Sequence, residues 1–135
     1  MTKAKSVLRR AAVVAGAVAG AGVLVLGGSG VASAETARYG VWSASCHGTM
    51  MTENNSVVGW QVRNQVDNYG DAECSGWMDW APEGNTSHFY GLQARIWVPG
   101  HNSLESGFVP DNSPALTRVC VQAANDGTAR CSSWW

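Results

Sequence analysis

The sequence predicts an all-β fold: a small antiparallel β-sandwich stabilised by two disulfides. Three observations predict it. The first 34 residues have the form of an export signal, which carries all four cysteines into an oxidising compartment. Apolar side chains then recur at alternate positions in several segments, the spacing of half-buried strands. Clusters of turn-forming residues separate those segments, and no stretch after residue 34 carries a helical stripe.

The leader has three parts. A basic start (Lys3, Lys5, Arg9, Arg10) precedes an apolar run over residues 11–26, and Ala32-Ser33-Ala34 supplies the small-x-small pattern cut by signal peptidase. Residues 11–30 could just span a bilayer, so a retained anchor is the competing reading. Glycines at 16, 20, 22, 27, 28 and 30 loosen such a helix, and no basic cluster follows it. Arg9-Arg10 also suits the twin-arginine route, but Ala11-Ala12-Val13 follows where that signal wants bulky and basic residues. A lipid anchor needs a cysteine at the cut, and Cys46 lies too far downstream. The expected product is a freely secreted, extracellular single domain, residues 35–135.

Each strand rests on its own pattern. Val58, Trp60, Val62 and Val66 share one face, opposite Gly59, Gln61, Arg63 and Gln65. Cys74, Met78 and Trp80 line one side of the next strand, with Glu73, Ser75, Trp77 and Asp79 opposite. Tyr90, Leu92, Ala94, Ile96 and Val98 form the cleanest apolar face, which leaves Phe89, Gln93, Arg95 and Trp97 outward. Further strands are expected over residues 39–46, 118–123 and 128–134. Turns at Asn54-Asn55, Asp67-Asn68-Tyr69-Gly70, Pro82-Glu83-Gly84-Asn85 and Pro99-Gly100-His101-Asn102 separate them. Six to seven short strands suggest an immunoglobulin-like sandwich, with a small closed barrel as the alternative.

Four cysteines allow three connectivities, and Cys46–Cys74 with Cys120–Cys131 is favoured because each pair is local. Asn125-Asp126-Gly127 reads as a hairpin turn, with Gly127 in the left-handed conformation. A four-residue loop pairs Ala123 with Thr128 and, three steps on, sets Cys120 opposite Cys131 within disulfide reach. Metal ligation is the rival use of these cysteines, but no Cys-x-x-Cys pair is present and no metal or other cofactor is expected.

Composition excludes function classes. Beyond the leader there are five arginines (Arg38, Arg63, Arg95, Arg118, Arg130), ten acids and no lysine, a formal charge of −5. That disfavours nucleic acid and anionic membranes, and it removes Schiff-base and P-loop chemistry. His47, His88 and His101 belong to no catalytic pattern, and Cys46 beside His47 is expected to be oxidised. Asp67, Asp71, Glu73, Asp79 and Glu83 could supply a hydrolytic carboxylate pair. A solvated acidic strand edge that discourages aggregation is the preferred account of them. Asp67-Asn68-Tyr69-Gly70-Asp71 lacks the ligand order of a calcium loop. No catalytic residue is assigned, and the chain is expected not to be an enzyme.

Binding surfaces are better supplied. Phe89, Arg95 and Trp97 are expected on one outward face, and arginine and tryptophan are enriched at interface hot spots. Residues 99–115 form the longest irregular stretch, with Leu104 and Phe108 as apolar anchors for a protein partner. The alternative is a short strand at residues 106–109 that buries Phe108. Trp134-Trp135 either caps the sandwich beside Cys131 or stacks on a sugar, and capping is preferred.

With its Ala/Val/Gly-rich leader, two local disulfides and seven tryptophans, the whole chain resembles small secreted two-disulfide proteins of Streptomyces and related actinobacteria. Three groups of that kind are relevant. The Streptomyces α-amylase inhibitors are six-stranded, two-disulfide sandwiches with an exposed Trp-Arg-Tyr triplet; Arg95-Ile96-Trp97 and Arg38-Tyr39 only loosely echo it. The subtilisin-inhibitor family is similar in size and disulfide count, without a matching reactive-site stretch here. The adaptor subunit of umbrella toxin particles joins a toxin-bearing scaffold to a lectin subunit, and that resemblance implies an adaptor role in an extracellular antibacterial toxin complex. The expected function is therefore a secreted, non-enzymatic protein–protein interaction module whose partners are other secreted proteins. A proteinaceous inhibitor of an extracellular protease or amylase is the alternative, and a carbohydrate-binding module is third.

Overall fold

The computed structural model describes residues 34–135, so the expected leader, apart from Ala34, lies outside the described residues. Nine strands follow in order: β1 (Thr36–Ser43), β2 (Cys46–Asn55), β3 (Gly59–Asn68), β4 (Cys74–Ala81), β5 (Tyr90–Val98), β6 (Ser103–Glu105), β7 (Val109–Pro110), β8 (Leu116–Ala123) and β9 (Arg130–Cys131). The described residues form no helix. Every pairing is antiparallel. One sheet runs β1-β2-β3-β6, with β7 also on β3, and the other runs β5-β4-β8-β9. We call them the first and second sheets.

The sandwich and both disulfides match the sequence prediction. Cys46–Cys74 (Cα–Cα 5.8 Å) ties β2 to β4 and so crosses between sheets, inside a cluster with Val66, Val98 and Val121. A second cluster unites Met50, Val62, Met78, Val109 and Val119. Cys120–Cys131 (Cα–Cα 4.0 Å) links directly opposed residues of β8 and β9. The turn has the expected form: Gly127 has φ 67°, and the Asp126 and Gly127 amides both donate to Ala123 O.

Several expectations need correction. The strand expected at residues 39–46 breaks at a turn, where Ala44 takes φ 48°, and Cys46 already opens β2. Because Gly48 and Thr52 occupy two of its inward positions, β2 carries no apolar alternation to read. Val58 sits in the turn before β3 and is exposed rather than inward. Of residues 128–134 only Arg130–Cys131 form a strand, although the Ser132 and Trp135 amides still donate to Val119 O and Thr117 O.

β5 departs most. Cys74, Ser75 and Gly76 pair one for one with Val98, Trp97 and Ile96, but Met78 then pairs with Gln93 and Trp80 with Tyr90, so over these two steps β5 spends three residues where β4 spends two. Leu92 (φ 58°) and Ala94 (φ 48°) absorb the two bulges. The first bulge reverses the alternation and turns Leu92 out to solvent; the second restores it, so Tyr90 lies opposite Trp80 yet is exposed at the start of this edge strand, and only Val98 is fully buried. The acidic residues form no solvated edge either. β3 and β4 are interior strands, Asp79 is buried, and β4 is covered on both faces.

A polar side chain bridges the interior between the sheets. Asn64, on the inward face of β3, is fully buried; its Nδ2 donates to Trp77 O (3.2 Å) and Cys120 O (3.0 Å), while its Oδ1 has no partner. The facing positions are glycines. A Cβ at Gly76 would lie 2.3 Å from Val66 Cγ2 and 3.1 Å from Asn64 Nδ2, and one at Gly48 3.2 Å from Asn64 Oδ1. The missing side chains make the room that lets an amide bridge from β3 to two strands of the opposite sheet.

Candidate functional site

The outer face of the second sheet is built from pairing register. Ser75 faces Trp97 across β4–β5, while Trp77 faces Cys120 and Asp79 faces Arg118 across β4–β8. Directly opposed residues share a face, so these side chains gather on one surface. They interlock as a ladder. The Arg95 guanidinium lies between two rings, 5.0 Å from the Trp97 centroid and 5.7 Å from Trp77. Trp77 Nε1 donates to Asp79 Oδ1 (3.2 Å), and Asp79 Oδ2 accepts from Arg118 Nε (2.9 Å) and Nη2 (2.8 Å). Arg118 then stacks on Phe89 (5.1 Å) and Trp134 (4.7 Å), which meet edge to face at 5.5 Å.

The ladder has a buried rail and exposed ends. Trp77 and Asp79 are covered, whereas Trp97 is 53% exposed and Phe89 41%. Arg118 is neutralised by Asp79; Arg95 makes no ion pair among the described residues, its one polar contact being Ser75 Oγ at 3.5 Å. An open recess of about 170 Å³ beside Arg95 and Trp97 is also lined by Glu73, Ser75, Gln122 and Ala124. Another of about 290 Å³ adjoins Phe89 at the far end. Rings already clamped by guanidinium groups have little freedom left to lose, so this face is held in one arrangement. Asp79 and the sulfurs of Cys120 and Cys131 also converge within 4.8 Å. Both sulfurs are consumed in the disulfide, so that group offers a metal no thiolate.

The five binding residues predicted from sequence divide between the sheets. Phe89, Arg95 and Trp97 come together on the ladder. Leu104 and Phe108 stand on the first sheet instead, where β6 and β7 pair with β3. The long irregular stretch is thus partly strand, yet Phe108 stays 39% exposed, stacked 5.1 Å from the Arg63 guanidinium. Glu35 hydrogen-bonds that guanidinium and raises its pKa further, with Glu105 Oε2 2.5 Å from its other arm. Sequence reasoning missed Trp77, Asp79, Arg118 and Trp134 as parts of the ladder. The Asp79–Arg118 opposition depends on a pairing 39 residues apart in the chain, and no local pattern encodes it. Trp135 caps as preferred: it packs on the second core cluster and edge-on to Trp60 at 5.4 Å. Trp134 closes the end of the ladder.

One acid outside the ladder has a shifted pKa. Asp111, directly after β7, is buried, and burial pushes its carboxyl up to about 6 against the lowering effect of the Thr117 hydroxyl, which donates to it. An acid whose pKa is raised on folding stabilises the fold below its unfolded value near 3.8 and loses that contribution as pH rises through about 6. Asp111→Asn, which keeps the acceptor for Thr117, should therefore raise stability at pH 7 by roughly 2–3 kcal/mol and give little gain at pH 4. Thermal melts of both proteins across that range check it; a gain that does not change with pH contradicts it.

No known protein family matches the chain, and no solved structure matches it. A stretch of 48 residues is 40% identical to peptidyl-tRNA hydrolase of Vibrio cholerae serotype O1, in two strains. It covers 36% of this chain and 24% of that enzyme, so the chain spans about a quarter of the length of the curated relatives it matches.

Proposed function

We propose that the protein is a secreted, non-enzymatic protein–protein interaction module that docks its partner on the outer face of the second sheet, through Phe89, Arg95 and Trp97. Export follows from the leader pattern, and two structural disulfides fit an oxidising compartment. The observation that carries the reading is the Arg–aromatic ladder: an exposed tryptophan and an arginine without an ion pair, both held in place, on a chain whose formal charge beyond the leader is −5. Arg95 calls for a carboxylate on the partner, and Trp97 for an apolar recess. In its most specific form the module is an adaptor within an extracellular antibacterial toxin complex.

Copurification from culture medium tests this. The wild type should carry a stoichiometric partner that Trp97→Ala weakens by about 2 kcal/mol, roughly thirtyfold. Stability should fall by only about 1 kcal/mol, because the ring is half-exposed and its main contact is the Arg95 guanidinium. A wild-type protein that runs as a partnerless monomer overturns the proposal.

Inhibition of an extracellular hydrolase is a second reading, favoured by the rigidity of residues 103–110. Buried Ser106 pins that ribbon to β3: its amide donates to Asn64 O, and its hydroxyl accepts from the Asn64 amide, both at 2.9 Å. Leu104 and Phe108 flank the pin and are exposed. Titration against proteases and amylases tests this reading, with Leu104→Ala expected to relieve any inhibition found.

A further inference from the structure

The first sheet carries an aromatic corner that the docking face does not use. Trp42 of β1 is 53% exposed, and Tyr69, in the turn after β3, is 61% exposed. Their rings lie 5.6 Å apart and within 27° of parallel. Beneath Trp42, the His47 ring stacks at 4.3 Å and 22°, steadied by Thr49 Oγ1 at 3.5 Å and Asp67 Oδ2 at 3.9 Å. Two broad rings held near-parallel in water, with a polar group behind them, are neither core nor the rim of a large apolar patch.

Beside Tyr69 opens a recess of about 320 Å³ lined by polar groups, among them Asp67, His101, Asn102 and Ser103. Ser103 Oγ (2.5 Å) and Gln65 Nε2 (3.5 Å) donate to Asp67 Oδ1, which leaves the hydroxyl's lone pairs, and Asp67 Oδ2 beyond its 3.9 Å approach to His47, to accept further bonds. Asn102 Nδ2 donates to Gly100 O, while its Oδ1 accepts from no described residue. The walls are fixed from behind by Asn68. Its Nδ2 donates to Ala72 O (2.8 Å) and Val98 O (3.0 Å), its Oδ1 accepts from the Gly70 amide, and its own amide donates to Asn102 O. The His101 amide donates to Gly70 O, which joins the two loops directly.

We propose that this corner is a carbohydrate-binding subsite: Trp42 and Tyr69 receive the flat C–H face of an uncharged pyranose ring, and Asp67, Asn102 and Ser103 take its hydroxyls. A sugar ring is apolar on its faces and polar around its rim, and the corner has the matching arrangement of flat rings beside acceptors and hydroxyls. Asp67 and Asp71 place negative charge here, with Asp71 Oδ1 2.9 Å from His101 Nε2, so uronate or sulfated polymers are disfavoured. The recess is open, which suits one residue of a longer glycan chain. The inference does not rest on the docking reading, since it uses the other sheet and shares no side chain with the ladder.

Titration of the oxidised protein with neutral hexasaccharides of β-glucose, N-acetyl-β-glucosamine and α-glucose, followed by tryptophan fluorescence and calorimetry, tests it. At least one should bind, and Trp42→Ala and Tyr69→Ala should each weaken that binding about tenfold. Asp67→Asn should weaken it with both rings still in place, while Trp97→Ala should leave it unchanged. Far-ultraviolet circular dichroism confirms that each variant is folded, and Tyr69 is exposed enough that its loss does not threaten the core. The proposal is overturned if no neutral hexasaccharide binds at millimolar concentration, if only polyanionic glycans bind, or if binding survives both ring substitutions or is lost with Trp97→Ala.

Discussion

Asn64→Asp should destabilise the protein severely at neutral pH, although it exchanges only an amide for a carboxylate of the same shape. Asn64 is completely buried, and its Nδ2 is the donor for carbonyl oxygens on both β4 and β8. A carboxylate has no donor to offer, so it would face those two oxygens with a buried negative charge and no cation near it. Uncompensated buried charge costs about 3–5 kcal/mol, against a total stability of roughly 5–15 kcal/mol for a domain. Taking up a proton restores at most one of the two donations and shifts the penalty to the proton's uptake. Asn64→Leu should be milder, about 2–3 kcal/mol, because it abandons both carbonyls but also removes the unpartnered Oδ1. Urea midpoints at pH 7 measure both. Equal midpoints for Asn64→Leu and Asn64→Asp would show that the buried charge adds no penalty beyond the two lost donations.

The second large effect separates the disulfides. Cys46–Cys74 closes a 28-residue separation and crosses between the sheets, whereas Cys120–Cys131 closes 11 residues within one sheet. Restricting the unfolded chain should make the first worth about 3.6 kcal/mol and the second about 2.8 kcal/mol. Packing widens the gap, because Cys46 and Cys74 sit in a core cluster while Cys131 is only half-buried. Paired replacement by alanine avoids a stray thiol. We expect Cys46→Ala/Cys74→Ala to lower the unfolding free energy clearly more than Cys120→Ala/Cys131→Ala. The reverse order would mean that the cross-sheet link does not organise the sandwich.

These residues also show what a single sequence can reveal. The second disulfide was legible because hairpin geometry is local: turn type and loop length set which residues oppose each other, and Cys120 and Cys131 fall into register by counting. Val62 and Val66 were legible because β3 keeps strict alternation, even though Asn64 and Asn68 share their inward face. β5 misled because its two bulges are a tertiary feature, carried by Leu92 and Ala94, neither of which advertises a left-handed backbone. β2 was invisible because its inward positions include a glycine and a threonine that serve the buried amide of Asn64 and the β1 backbone rather than a greasy core. The ladder was half-read. Arg95 and Trp97 share a strand and could be paired from sequence alone, but Asp79 and Arg118 meet only when β8 settles beside β4.

Hydrogen exchange of the protein alone and in its native complex tests the docking face most directly. The account predicts new protection in residues 75–79, 89–97 and 118–122, with the first sheet unchanged. Protection that falls instead on β1–β3 and residues 103–110, or on no segment at all, would contradict it.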